Sequence, residues 1–146
     1  MKQVRTYFAA YREADGFMQQ KESRTKAPAQ RQLWADRRNV NDQAYFVLMF
    51  TVLETMINSR CDTIIGQKQA QPWPKRALWD NAERKRMRFK QRLALLAEKS
   101  GTTFARIIYY YEIRCNIAHG NVYPNMPIAI PTAAAELIAL GKALKK

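Results

Sequence analysis

Ala44-Tyr45-Phe46-Val47-Leu48-Met49-Phe50-Thr51-Val52-Leu53 is the run whose reading decides the fold. Only Thr51 interrupts its apolar character, and a helix that is apolar almost all round belongs at the centre of a bundle. The helical pattern extends from Gln43 to about Ile64, with Asn41 and Asp42 as N-cap candidates before it and Gly66 just beyond. Glu54 follows the run directly and shares a helix face with Val47, Phe50, Asn58 and Cys61. Its carboxylate is therefore drawn inward, which is costly unless a cation or a donor meets it.

Working outward, Val4, Tyr7, Phe8, Tyr11, Ala14 and Met18 recur at spacings of three and four and predict a first helix over residues 2–20. Residues 21–40 read as loop or linker, most clearly the polar run 21–31 with Pro28. Residues 66–76 read as a second loop, because Pro72 and Pro74 forbid a regular helix. Trp73, between those prolines, is expected to plug an end of the bundle, with stacking on a base as the alternative. A third helix is predicted over 77–99, with Leu78, Ala82, Phe89, Leu93 and Leu96 as its buried stripe. Arg84, Lys85, Arg86, Arg88, Lys90 and Arg92 crowd the rest of it with no acidic residue among them. A polyanion alongside would relieve that repulsion, so Arg84, Lys85, Arg86, Arg88 and Arg92 are candidate RNA-backbone contacts; a solvated face is the bland alternative.

Phe104, Ile107, Ile108, Tyr111, Cys115 and Ala118 define the stripe of a fourth helix, capped by Thr102 or Thr103 at its start and by Gly120 at its end. Tyr109 and Tyr110 lie off the stripe and suit either a dimer mate or another helix of the bundle. Arg114 and His119 flank the stripe, and His119 is the one histidine of the chain. Arginine offers a permanently charged fork for phosphate oxygens, and histidine both takes and gives a proton near neutrality. On a straight helix the two are roughly 140° apart around the axis and about 7.5 Å apart along it. Either the last turn is distorted or a second copy of the helix completes the site. Phosphodiester cleavage by 2′-OH attack uses one general base and one general acid, which a two-fold dimer would supply from two copies of His119. Thr132 caps a last predicted helix, 133–144, ending in Lys142, Lys145 and Lys146.

The run Arg114-Cys115-Asn116-Ile117-Ala118-His119-Gly120 resembles the signature of the HEPN domain family (higher eukaryotes and prokaryotes nucleotide-binding), an arginine and a histidine separated by four to six residues. The resemblance implies an all-α, single-domain bundle of four to five helices covering residues 1–146. It also implies dimers that bring two motifs into one cleft, and metal-independent endoribonuclease activity of the toxin or defence-effector type. Family members often carry an acidic residue in the central helix, which makes Glu54 the expected partner of Arg114 or His119, as a structural ion pair, as support for the site, or as both. Arg114, His119, Asn116 and Glu54 are thus the candidate catalytic set. Cys115 stands where the family usually has a polar residue, and Asn121 where some toxins have a modifiable tyrosine, the nearest here being Tyr123.

A formal net charge of +13 attracts polyanions and speeds their encounter, so RNA is the expected partner, with an anionic membrane surface as the lesser alternative, and an antitoxin or regulatory protein would meet the same field. Cys61 and Cys115 lie in helical patterns without metal-ligand spacing and read as small hydrophobes in a reducing compartment. No glycine-rich phosphate loop, metal cluster or repeat is visible, so no cofactor is expected. No run approaches about 18 apolar residues, and Met1 to Arg5 leads into an amphipathic pattern without an export-type core, which together predict a cytoplasmic protein with no membrane span. Two rival readings remain open: a HEPN-like module that binds RNA, a nucleotide or a partner without chemistry, favoured by Cys115, and a basic helical DNA-binding protein, which leaves the motif unexplained.

Overall fold

The computed structural model describes residues 1–121 and 123–144. It is an all-α bundle of five helices: α1 Lys2–Arg24, α2 Pro28–Gln69, α3 Phe89–Ala94, α4 Thr102–Ala118 and α5 Ile130–Ala143, with a 3₁₀ turn at Arg84–Arg86 before α3. The expectation for Lys145 and Lys146 at the end of α5 lies outside the described residues.

α2 is the axis on which the others pack. Phe46, Met49, Phe50, Leu53, Ile57 and Cys61 are fully buried and meet Val4 of α1, Leu93 of α3, Ile107 and Tyr110 of α4 and Leu137 of α5 in one core. Burial is not uniform around the run that sets the fold. Leu48 is exposed, and Val47 and Val52 are half-buried, so α2 has one face open to solvent.

The largest departure from expectation is residues 21–40. α1 continues to Arg24 and α2 already begins at Pro28, leaving only a short connection between them. Pro28 sits in the first turn, where its missing N–H would have had no helical partner, so it starts a helix rather than breaking one. The polar residues beyond it clamp α2 antiparallel to α1. Arg38 pairs with Asp15 at 2.8 Å and with Glu22 at 3.0 Å, and Trp34 packs edge-on against Phe17. Asn41 and Asp42 consequently lie inside α2 and cap nothing. Burial pushes the Asp42 carboxyl above its ordinary range. At the other end α2 passes through Gly66 to Gln69, so the second loop begins at Ala70 rather than at 66.

The predicted helix 77–99 does not form. Turns occupy residues 73–81, where the Gln69 side chain donates to the Trp79 and Ala82 carbonyls. Only residues 89–94 are α-helical. Of the expected stripe, Phe89 and Leu93 are buried, while Leu78 is 91% exposed. Trp73 is 68% exposed and plugs nothing. The charge block supplies part of the reason: wound around one helix its cations would repel, whereas in the broken chain three of them meet carboxylates on other elements, Arg84 both oxygens of Asp62 at 2.8 Å, Lys90 Glu112 at 3.7 Å and Arg92 Glu54 at 3.8 Å. Thr102 and Thr103 lie within the first turn of α4, whose N-cap is Gly101. α5 starts at Ile130, with Pro131 in its first turn and Ala129 rather than Thr132 at the cap. Tyr110 is wholly buried, its hydroxyl donating to Glu136 at 2.8 Å, and this removes it from any intermolecular face.

Candidate functional site

The site is built where the C-terminal half of α4 lies against α2, with α3 closing one side. Arg114 projects from α4, and its Nη2 stands 3.7 Å from Glu54 Oε2 on α2. Arg92 of α3 reaches the other oxygen of the same carboxylate, Nη2 to Oε1 at 3.8 Å, and its Nη1 donates to Asn58 Oδ1 one turn along α2. Glu54 therefore lies between two guanidinium groups. The inward carboxylate read from the sequence is present, with its side chain 18% exposed, and it meets Arg114. Arg92 belongs with this centre rather than with the open basic surface to which its position in the block assigned it.

Aromatic packing fixes the floor. Phe89 and Tyr111 stack with ring centroids 4.0 Å apart, Phe50 leans on both, and the Arg92 guanidinium lies 5.6 Å from the Phe89 centroid. The Tyr111 hydroxyl is raised above its ordinary pKa first by its neighbour Cys115, then by burial and by the charge of Glu54, so it stays protonated near neutrality. Cys61 donates its thiol hydrogen to the Arg92 carbonyl at 3.1 Å, and burial raises its pKa, which keeps it a neutral packing group. Both cysteines are free.

His119 lies at the end of the same helix, exposed to solvent. α4 reaches it without distortion, because the His119 N–H still bonds the Cys115 carbonyl at 3.0 Å. Gly120 then adopts φ 82°, and the Gly120 and Asn121 amides return to the Ile117 and Asn116 carbonyls, each at 3.0 Å. This is a complete Schellman end, and glycine is needed at its left-handed position. Of the two routes to a shared site, a bent last turn is thus absent. Arg114 and Glu54 are brought together by one chain, and His119 is not brought to them.

Asn116 also stands apart from the arginine pair. Its amide donates to the Tyr123 hydroxyl at 2.8 Å, and the Tyr123 main chain is held from α2 by Gln43, which donates to the carbonyl at 3.0 Å and accepts from the N–H at 3.1 Å, and by Asn39 at 2.7 Å. These bonds hold Tyr123 against α2 and to Asn116 of α4. Gln43 is 3% exposed, and a buried amide at the start of an otherwise apolar run was the available sequence signal. Of the proposed RNA contacts, Lys85 and Arg88 are exposed, Arg86 is exposed but paired with Glu83 at 3.3 Å, Arg84 is occupied by Asp62 and Arg92 is turned inward.

A groove of about 560 Å³ lies at the opposite end of α4, lined by Thr102, Thr103, Ala105, Arg106, Tyr109 and Leu140. It holds none of the predicted site residues, and its arginine is engaged by Glu136 at 2.6 Å, so it is not the candidate site. Among the described residues no group of histidine, cysteine and carboxylate side chains is placed to hold a metal ion, and no helix is long and apolar enough to cross a membrane. Comparison with protein-family models, curated proteins and solved structures finds no match for this chain.

Proposed function

We propose that the chain is a HEPN-like, metal-independent endoribonuclease that acts as a homodimer, with a toxin or defence role. The observation that carries the reading is the pairing with Glu54 of Arg114, which lies on the same regular helix whose end carries an exposed His119. In this mechanism His119 takes the proton from a ribose 2′-OH, which attacks the adjacent phosphorus. His119 of the partner subunit protonates the leaving 5′ oxygen, giving a 2′,3′-cyclic phosphate and a 5′-OH end. Arg114 meets the charge that develops on the phosphate, an interaction worth on the order of 3 kcal/mol when preorganised. Glu54 holds Arg114, and Asn116 holds the Tyr123 hydroxyl.

Two further features support assembly and binding. Leu33, Val40, Ala44, Leu48 and Thr51 share the solvent-exposed face of α2, with Val40 59% and Leu48 43% exposed, and a second copy covering that face would bury it. The net charge of +13, with Lys85, Arg86 and Arg88 exposed, suits a polyanion. Cys115, half-buried beside Arg114, favours the second reading, an RNA- or partner-binding module without chemistry. Incubation with mixed RNAs and with DNA of matched sequence, in EDTA, separates the two. The enzyme cuts RNA and leaves DNA, which lacks the 2′-OH, whereas the binding module retains both intact.

A further inference from the structure

Arg92 and Arg114 bring two permanent positive charges to one carboxylate. Their side chains are 15% and 32% exposed and Glu54 is 18% exposed, so this net positive charge is held largely out of water. The donors also outnumber the acceptors. Each guanidinium carries five N–H groups, the two approaches to Glu54 at 3.7 and 3.8 Å are longer than hydrogen bonds, and both Nε atoms are buried without a partner among the described residues. Arg92 is nevertheless fixed in place by Asn58, by the Phe89 ring and by the thiol of Cys61 on its carbonyl.

From this imbalance we infer that Arg92 and Arg114 form one oxyanion site, with Arg92 as a second phosphate ligand that neither the Arg-to-His motif nor the exposed basic surface contains. The ligand is a phosphate group, as monoester or diester. Its oxygens take unmatched N–H donors of the two arginines from the side on which Arg114 is one-third exposed, while Glu54 lies between the two forks and competes with the incoming anion. The inference deepens the ribonuclease reading by giving the scissile phosphate a second arginine, and it rests on that reading for the identity of the diester, though not for anion binding.

Titration calorimetry with inorganic phosphate at constant ionic strength tests it, with melting temperature against phosphate as a second readout. Wild type is expected to bind one phosphate saturably, and Arg92→Gln and Arg114→Gln each to weaken it by about tenfold or more. Glu54→Gln, which keeps the shape and removes the competing charge, is expected to tighten it by about threefold to tenfold. Lys2→Gln on α1, which removes one charge elsewhere, is expected to leave it unchanged. If Arg92→Gln does not fold, Arg92→Lys keeps the charge and loses the fork, and the wild-type titration stands by itself. Absence of saturable binding in wild type, binding indifferent to Arg92, or unchanged or weaker binding in folded Glu54→Gln overturns the inference. Phosphate binding by a protein that does not cut RNA would keep this site and remove the ribonuclease, and RNA cleavage without saturable phosphate binding would do the reverse.

Discussion

Arg114 Nη2 stands 3.7 Å from Glu54 Oε2, so the motif arginine leaves α4 toward α2 while His119 stays exposed at the end of the same helix. The arginine's charge is thereby tied to the central helix, and the position of the histidine is set by the helix end alone. The two halves of the motif therefore depend on different parts of the fold, and mutations separate them.

Glu54 is the only carboxylate paired with either arginine among the described residues. Glu54→Ala leaves two guanidiniums facing each other without a counter-charge and should cost about 2–3 kcal/mol, below the full penalty for a buried pair because Arg114 is about one-third exposed. Arg114→Ala leaves Glu54 with Arg92 and should cost less. Urea midpoints of the two variants check the order; equal losses would mean that the pairing is not shared.

The exposed cations behave differently. Charge reversal at Lys85, Arg86 and Arg88 should weaken affinity for all RNA sequences about equally, and the slope of log affinity against log salt should fall by roughly one for each phosphate no longer neutralised. Arg84 is kept out of that set, because it is half-buried and bound to both oxygens of Asp62, whereas Arg86 has only an exposed local pair with Glu83 at 3.3 Å. An unchanged salt slope would make this surface a merely solvated one.

The Arg106, Glu136 and Tyr110 cluster sets a pH dependence. The hydrogen bonds from Arg106 hold the Glu136 carboxyl below its ordinary value of 4.5, burial opposes them, and the weaker effect of the Tyr110 hydrogen bond lowers it further. A folded-state pKa that is depressed contributes stability above 4.5 and loses it as the pH falls through the folded value. Glu136→Gln should therefore be less stable than wild type at pH 7, by under about 1 kcal/mol for a pair this exposed, and the difference should vanish in strong acid. Thermal melts across that range check it.

Much of this arrangement is legible in the residues. The apolar run 44–53 announces the central helix, Gly120 the end of α4, and the inward face of Glu54 the need for a cation. Residues 28–40 are misread because local composition favours a loop, whereas Arg38 finds Asp15 and Glu22 on a neighbouring helix, a tertiary gain invisible in a local pattern. The helix expected over 77–99 fails in part for the converse reason, since three of its cations meet carboxylates on other elements with the helix broken. Arg92 looks like its neighbours in the sequence, and only the turn into α3 points it inward.

If two subunits complete one cleft, the protein in solution should be a dimer, with the helices bearing Arg114 and His119 facing across the two-fold axis. Excess His119→Ala subunits exchanged into wild type should lower activity more than dilution of active chains predicts. A fully active monomer at assay concentration would remove the composite site. Leu48→Glu, on the exposed face of α2, should separate the subunits and abolish activity while each chain stays folded.

The most direct test is the chemistry of the cut ends. A defined RNA incubated with the purified protein in EDTA should yield 2′,3′-cyclic phosphate and 5′-OH termini. His119→Ala, altered at an exposed position, should keep the wild-type stability to within about 0.5 kcal/mol and produce no such ends. Intact RNA with the wild-type protein, 3′-OH termini, or full cleavage by His119→Ala would contradict the account.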